Sequence, residues 1–457
     1  MTLTLVRALA ARGARRAAFD GRGIPAGGVV PSSNTDRISG RRALSSGCRV
    51  RLATMRHVHH GLLVLSVLIV MGSARAEAQQ PPADSRASEI AAGQAQKAGH
   101  TTPVVPSQVE RIVDRLEPVL LQTEPSGFYP WFGSVLGGGM LALGAGYRNV
   151  FADTGLLNVH GAWSLRNYRT LDAQVALPTF LDGRARVTAH GKYLFADKVS
   201  FYGLGRDSDE DRKASFTYEP TTVGASVRVQ PVASLHLGAG IGYEQVKTSG
   251  GRRAPSVEQA FTPGTVPGLG EDVDYVVTHA SAAIDWRESP GYTTSGGLYR
   301  IEHRRYDARD SAPWSFETTE VELQQFVPIL RANWVLAFRA LGTVAYGRGG
   351  DEVPFFMMPT LGGGDELRGF ANRRFRDRNR LLLQAEYRWR PSKFVDLAVF
   401  YDAGKVEARR GDLDTDGLKS AWGGGIRLHG PSYTALRLEL AKSREGLALI
   451  VSGGPSF

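Results

Sequence analysis

From Phe128 to the end of the chain, apolar and polar residues alternate singly, and the polar positions repeatedly carry full charges. In 185–195, Ala185, Val187, Ala189, Gly191, Tyr193 and Phe195 share one parity, and Arg186, Thr188, His190 and Lys192 the other. In 223–229, Val223, Ala225, Val227 and Val229 oppose Gly224, Ser226 and Arg228. In 436–440, Leu436, Leu438 and Leu440 oppose Arg437 and Glu439. Successive side chains of a strand point to opposite faces, so each stretch is a strand with one greasy and one wet side. Turn signals such as "LDGR", "PSKF" and "GPSY" separate the strands. Glycine supports the same class: 54 of them without a G-X-Y period suit tightly turned strands rather than helices.

A water-soluble sandwich also alternates. Two features favour a closed cylinder in lipid instead: the repeated full charges on the wet side, and aromatic residues clustered at strand ends. The aromatic pairs are Tyr193 and Phe195, Phe201 and Tyr202, Tyr387 and Trp389, and Phe400 and Tyr401. A bilayer offers no water to unpaired backbone groups, so a sheet that crosses it must close on itself. The expected fold class is all-β, a transmembrane antiparallel β-barrel over residues 128–457. With strands of ~10 residues, that length accommodates roughly 12 to 18 of them, and an even number is expected; sixteen is our expectation.

The segment ahead of the barrel reads as an export apparatus. "MRHVHHGLLVLSVLIVMGSARAEAQQ" starts at Met55, with Arg56, an apolar run from Leu62 to Met71, and then small residues. Both Ala74-Arg75-Ala76 and Ala76-Glu77-Ala78 fit an A-x-A cleavage pattern, so 55–78 is expected to be a secretory signal peptide. Its apolar run falls short of the ~20 residues that span a bilayer. Residues 1–54, with ten arginines against Asp20 and Asp36, are read as a non-native or unstructured extension rather than a nucleic-acid arm. Cys48 is the single cysteine, so no intramolecular disulfide forms, and His57, His59 and His60 fall in a segment expected to be removed. Residues 79–127 read as a periplasmic linker. They include a short amphipathic helix built on Val109, Ile112, Val113, Leu116, Val119 and Leu120, broken near Pro118.

"VPFFMMPTLGGGDELRGF", Val353 to Phe370, is a glycine-rich loop that ends on one arginine. It lacks the Gly-Lys-Ser/Thr ending of a phosphate-binding loop. This stretch resembles the sixth extracellular loop of the BamA/TamA family of outer-membrane barrels, the bacterial surface antigen type. The matching tip is Arg368-Gly369-Phe370, with Leu367 where the family usually has valine. Further elements resemble the family in order: "LLLQAEYRWRP" with Glu386, "LAVFYDAGKV" with Phe400, Asp402 and Gly404, and then "WGGGIRL", "ALRLELAKS" and "GLALIVSGGPSF". Upstream, "DWRESPGYTTSGGLYRIEH" is similar to the family's D-x-R…G hairpin. The C-terminal Phe457 fits the aromatic ending read by the outer-membrane assembly machinery, a partner the resemblance implies for this chain's own insertion.

Alternation by itself sets Leu381, Leu383, Ala385, Tyr387 and Trp389 outward and Leu382, Gln384, Glu386 and Arg388 inward. On the next strand, Leu397, Val399, Tyr401 and Ala403 face out, and Phe400, Asp402 and Gly404 face in. Glu386 and Asp402 are then lumenal neighbours, and a guanidinium folded into the lumen would find both, since its planar fork suits carboxylates. We expect Arg368 to lock the loop onto this pair.

Two acidic loops are read as solvated rather than metal-binding. "DLDTDG", Asp412 to Gly417, mimics the start of a calcium loop, but Gly423 stands where a bidentate Glu is needed. "DSDED", at 207–211, reads the same way. No Ser/His/Asp or Cys/His set has recognisable spacing, so no enzyme, cofactor or metal is expected. Residues 79–127 show no βααβ pattern, so the POTRA modules of the family's assembly machines are not expected. The resemblance implies an outer-membrane protein in contact with membrane lipid, with no nucleic-acid partner. Its expected role is translocation or membrane insertion of an unknown cargo. The alternatives are a passive solute channel plugged by the loop and, from another class, a lipid-modifying barrel enzyme.

Overall fold

The computed structural model describes residues 126–309, 311–329 and 333–457. The extension, the signal segment, Cys48, the three histidines and the helix expected over 109–120 lie outside them.

Sixteen strands pair in sequence order into one antiparallel sheet. They run β1 (Gly127–Gly133), β2 (Ala142–Phe151), β3 (Gly155–Ser164), β4 (Arg169–Ala176), β5 (Ala185–Phe201), β6 (Ala214–Val232), β7 (Leu235–Gly250) and β8 (Val273–Asp285). Next come β9 (Gly296–Ala308), β10 (Phe316–Ile329) and β11 (Trp334–Gly347). Residues 348–378 form loop six, which carries its own two-stranded clip of β12 (Thr360–Leu361) and β13 (Phe375–Arg376). The barrel resumes with β14 (Asn379–Trp389), β15 (Val395–Glu407), β16 (Lys419–His429), β17 (Thr434–Ser443) and β18 (Gly446–Ser452). Among the described residues no ladder joins β1 to β18, the first and last strands of the sheet.

Alternation decides what each strand shows. Leu438 and Leu440 are exposed while Arg437 and Glu439, between and before them, are buried. Trp422, Ile426, Val399, Tyr401, Phe338, Leu449 and Val451 extend the same outward apolar band. A surface this apolar suits hydrocarbon rather than water. Among the described residues no helix is long and apolar enough to cross a membrane. Ala403, which alternation assigns to the outward face, is buried.

Three expectations change in detail. The first strand, expected near 131–147, stops at Gly133, and 134–141 is a connection before β2. The last strand stops at Ser452, because Gly453, Gly454 at φ +79° and Pro455 carry the chain off the sheet. Phe457 then turns back and packs its ring 5.8 Å from that of Phe326. The aromatic girdle is also only partly outward. Tyr387, Trp389 and Tyr401 are exposed, but Phe201 and Tyr202 are buried on the lumenal side, and so is Phe400. Strand-end aromatics serve two surfaces: parity separates Phe400 from Tyr401 within β15, whereas Tyr202 lies just beyond the end of β5 and buries beside Phe201.

Three apolar clusters fill much of the lumen. At the loop end, Phe201, Phe216, Tyr275, Phe316 and Phe355 form an aromatic core beneath the 3-10 turn Phe355–Met357 of loop six. A second cluster joins loop six to the wall through Leu361, Leu367, Phe370, Phe375, Leu382 and Val406. At the opposite end Phe326, Val335, Ala337 and Phe457 form a third.

Candidate functional site

Loop six reaches the wall through glycines. Gly362 and Gly363 both sit at φ +116° and Gly369 at φ +84°, backbone conformations that a side chain disfavours. A Cβ at Gly369 would lie 3.2 Å from those of Ala421 and Ser443, so the tip runs hard against β16 and β17. The carbonyl of Gly369 accepts the Ser443 hydroxyl at 2.6 Å. Leu367 and Phe370 bury on either side of the tip, and between them Arg368 is fully enclosed.

The Arg368 guanidinium uses its whole fork. Nε and Nη2 donate to the two oxygens of Asp402, each at 2.6 Å, and the backbone N–H of Arg368 donates to the same carboxylate at 3.2 Å. Nη1 donates to Glu386 at 2.8 Å and to Glu439 at 3.4 Å. The plane lies 3.5 Å above the Phe400 ring, a cation–π contact in a desolvated place. Burial opposes the charge, but Asp402, Glu386 and Glu439 outweigh it and raise the pKa of Arg368 above its ordinary value.

Neighbouring strands explain why these groups meet. Glu386 on β14 and Phe400 on β15 are register partners, and Gln384 pairs with Asp402. Gln384 donates to Asp402 at 3.2 Å and to the carbonyl of Glu366 at 2.8 Å, so it ties socket to loop. Gly404 belongs to the same inward row as Phe400 and Asp402. A Cβ on it would lie 3.1 Å from Leu361 of the β12 clip. Gly423 is the register partner of Phe400, and Gly425 that of Glu439. A Cβ at Gly423 would fall 2.6 Å from the Phe400 ring, and one at Gly425 would fall 2.7 Å from Cγ of Glu439. These two glycines leave the space that the ring and the carboxylate occupy.

Three further cations complete the buried network. Arg427 on β16 grips Glu386 through Nη1 and Nη2 at 2.9 Å each, and Glu439 through Nη2 at 2.6 Å. Arg388 donates to Glu386 at 2.8 Å. Arg437 donates to Glu439 at 3.2 Å and pairs with Asp365 of loop six. The C-terminal segment closes the set: Ser456 donates to Glu386 at 3.0 Å, and Arg388 lies 5.4 Å over the Phe457 ring.

The remaining charged motifs are structural. Lys405 donates to Asp414 and, at 3.1 Å, to the carbonyl of Asp416, so an ammonium holds the calcium-like loop. Asp207 pairs with Lys419 at 2.7 Å. The Asp285-x-Arg287 hairpin is a local fork, with Arg287 donating to Asp285 at 2.9 and 2.8 Å. Among the described residues no group of His, Cys, Asp or Glu is arranged to hold a metal ion.

The Omp85 superfamily domain model matches residues 152–446. The chain belongs to the Omp85 superfamily. As an Omp85 barrel it is similar to the structure of BamA from Haemophilus ducreyi lacking POTRA domains 1–3. The identity is 16% and the TM-score 0.54, over 72% of this chain and 69% of that one. It is also matched to CdiB from Acinetobacter baumannii, at 13% identity and TM-score 0.43, over 72% of this chain and 56% of that one. CdiB from Escherichia coli matches at 12% identity and TM-score 0.46, over 72% and 61%. No curated protein matches the chain. Within this Omp85 barrel, Arg368, Gly369, Phe370, Glu386, Phe400, Asp402 and Gly404 meet at one place, while Phe457 lies at the turn end of the network. The sequence reading omitted Glu439, Arg427 and Ser456. Their inward parity was available from alternation for Glu439 and Arg427; Ser456 lies beyond the last strand and had no such signal.

Proposed function

We propose that this Omp85 outer-membrane barrel inserts or translocates a polypeptide cargo, with passage along the seam between β1 and β18. The observation that carries this reading is the contrast between the two sides of the molecule. Loop six is bolted into β14, β15 and β17 through Arg368, whereas β1 and β18 are strands of only seven residues without a ladder between them among the described residues. Each missing backbone pairing lowers the cost of parting a sheet, and an edge in lipid is satisfied only by another strand. The bolt would keep the remaining wall rigid while the seam opens. Export through a signal segment and membership of the outer membrane fit the same reading.

The test is a staple. In a chain with Cys48 replaced, cysteines introduced in β1 and β18 are oxidised in outer membranes. Photo-crosslinking from β1 then looks for polypeptide neighbours. Loss of crosslinked clients in the stapled form, with recovery on reduction, is the expected result. Equal crosslinking in both forms, or no polypeptide neighbour at all, removes the proposal. A passive channel is the second reading, favoured by the polar lumenal row Arg300, Glu320, Thr343 and Arg380. A large steady conductance of the wild-type protein in planar bilayers would favour it over the first.

A further inference from the structure

Of the loop-six arginines that take no part in the Arg368 network, Arg373 and Arg376 stand apart. They face a lumenal cavity of about 340 Å³ below the Phe355–Met357 turn. The other cations of that cavity are balanced. Arg300 meets Glu302, Glu320 and Glu322 at 3.3, 3.0 and 2.8 Å. Arg304 meets Glu302 at 2.6 Å, and Arg380 meets Glu320 and Glu366 at 2.9 and 2.8 Å.

Arg373 and Arg376 are different. Arg373 donates through Nη1 to the carbonyl of Gly137 at 3.1 Å, and Arg376 through Nη1 to the carbonyl of Phe355 at 2.5 Å. Neither pairs with a carboxylate among the described residues. Arg376 is 3% exposed, and its Nε is buried with no hydrogen-bond partner among the described residues. The rings of Phe201, Phe216 and Phe355 lie 5.5 to 5.8 Å from its guanidinium carbon. Such rings offset part of the desolvation cost but offer no acceptor in the plane of the fork. Burial, and then the charge of Arg373, pull Arg376 down to about 9. A guanidinium does not give up its proton at neutral pH, so the pair holds charge that the protein leaves uncompensated. Buried polar groups are almost always satisfied, and Arg376, which lines the cavity, leaves part of its guanidinium unsatisfied.

We propose that this cavity binds a small tetrahedral oxyanion, a phosphate or phosphomonoester, between Arg373 and Arg376. Two unneutralised guanidiniums match a doubly charged anion, and Nη2 of Arg376, which makes no hydrogen bond among the described residues, is left to donate to it. Because both arginines belong to loop six, the bound anion adds a second anchor for the loop, separate from Arg368 and independent of what the seam transports.

Isothermal titration of the full chain in detergent micelles, at neutral pH and low salt, tests this. Inorganic phosphate and glycerol 3-phosphate are the two probes, the second standing for a lipid headgroup. Saturable binding of either, weakened about tenfold or more in Arg373→Gln, is expected from the loss of one charged hydrogen bond. Binding of phosphate assigns the free ion; binding of glycerol 3-phosphate alone assigns a headgroup. Arg373 is only half-buried, so its variant folds even where Arg376→Gln does not, and heat-modifiable gel mobility verifies this. No saturable heat from either probe, or an unchanged Kd in a folded Arg373→Gln protein, overturns the proposal.

Discussion

Arg368 has no solvent contact, and so do its partners Glu386, Asp402 and Glu439 on their side chains. Removing a charge from water costs several kcal/mol, which only near-ideal pairing returns. The geometry supplies it: two parallel bonds to Asp402, a third to Glu386, and an aromatic face beneath. The net contribution of such a cluster is small, but breaking it is not. Arg368→Ala is expected to lower stability by about 3–5 kcal/mol, because Asp402 would be left buried with no cation, and Glu386 and Glu439 would each lose one of theirs. Urea unfolding in micelles, read by tryptophan fluorescence, measures it. Arg368→Lys should recover only part of that loss, since one ammonium cannot serve Asp402 and Glu386 together; a deficit of roughly 1.5–3 kcal/mol is expected. A lysine variant as stable as wild type would mean that charge rather than the fork holds the loop.

At the scale of elements, the molecule is a set of strands whose lumenal faces were emptied where another element must dock. β16 shows this best. Its inward positions run Ala421, Gly423, Gly425 and Arg427, small residues opposite Phe400 and Glu439 and then a long cation. Gly423→Ala is expected to press on the Leu440 carbonyl of β17 and push the Phe400 ring from beneath Arg368, at a cost of about 1–3 kcal/mol. A changed near-ultraviolet circular dichroism spectrum alongside the lower midpoint would report the displaced ring. The C-terminal segment makes a different case. Phe457 packs on Phe326 and under Arg388, so Phe457→Ala should destabilise the refolded barrel by on the order of 3 kcal/mol. The assembly role that the family resemblance implies for the same ring predicts a separate loss of barrel from outer membranes. Comparing refolded yield with membrane yield divides the two contributions.

The described residues form a barrel whose lumen is occupied by its own loop six. Three clusters of buried apolar side chains and the Arg368 network occupy the interior from the loop end to the turn end. The wild-type protein is therefore expected to show small, brief conductance steps in planar bilayers. Arg368→Ala should raise their size or frequency, because the loop then has lost its central anchor. Large steady openings in wild type, unchanged in the variant, would place the conducting path elsewhere than the loop-filled lumen.

Much of this was legible from residues alone. A period of two, with charges on one parity and aliphatics on the other, dictates a two-faced strand. A chain with that pattern over its last 330 residues can satisfy its backbone in lipid only by closing. Parity also put Glu386, Phe400 and Asp402 on the inward side before any contact was known. Parity does not give depth or angular position around the barrel. Only the register of β14 through β17, with the glycine space on β16, brings Glu439 and Arg427 to the same height as Arg368. The fate of residues 453–457 was likewise hidden, because a segment outside the sheet has no period to read. Local sequence fixes which way a side chain points; where it arrives depends on pairings between strands far apart in the chain.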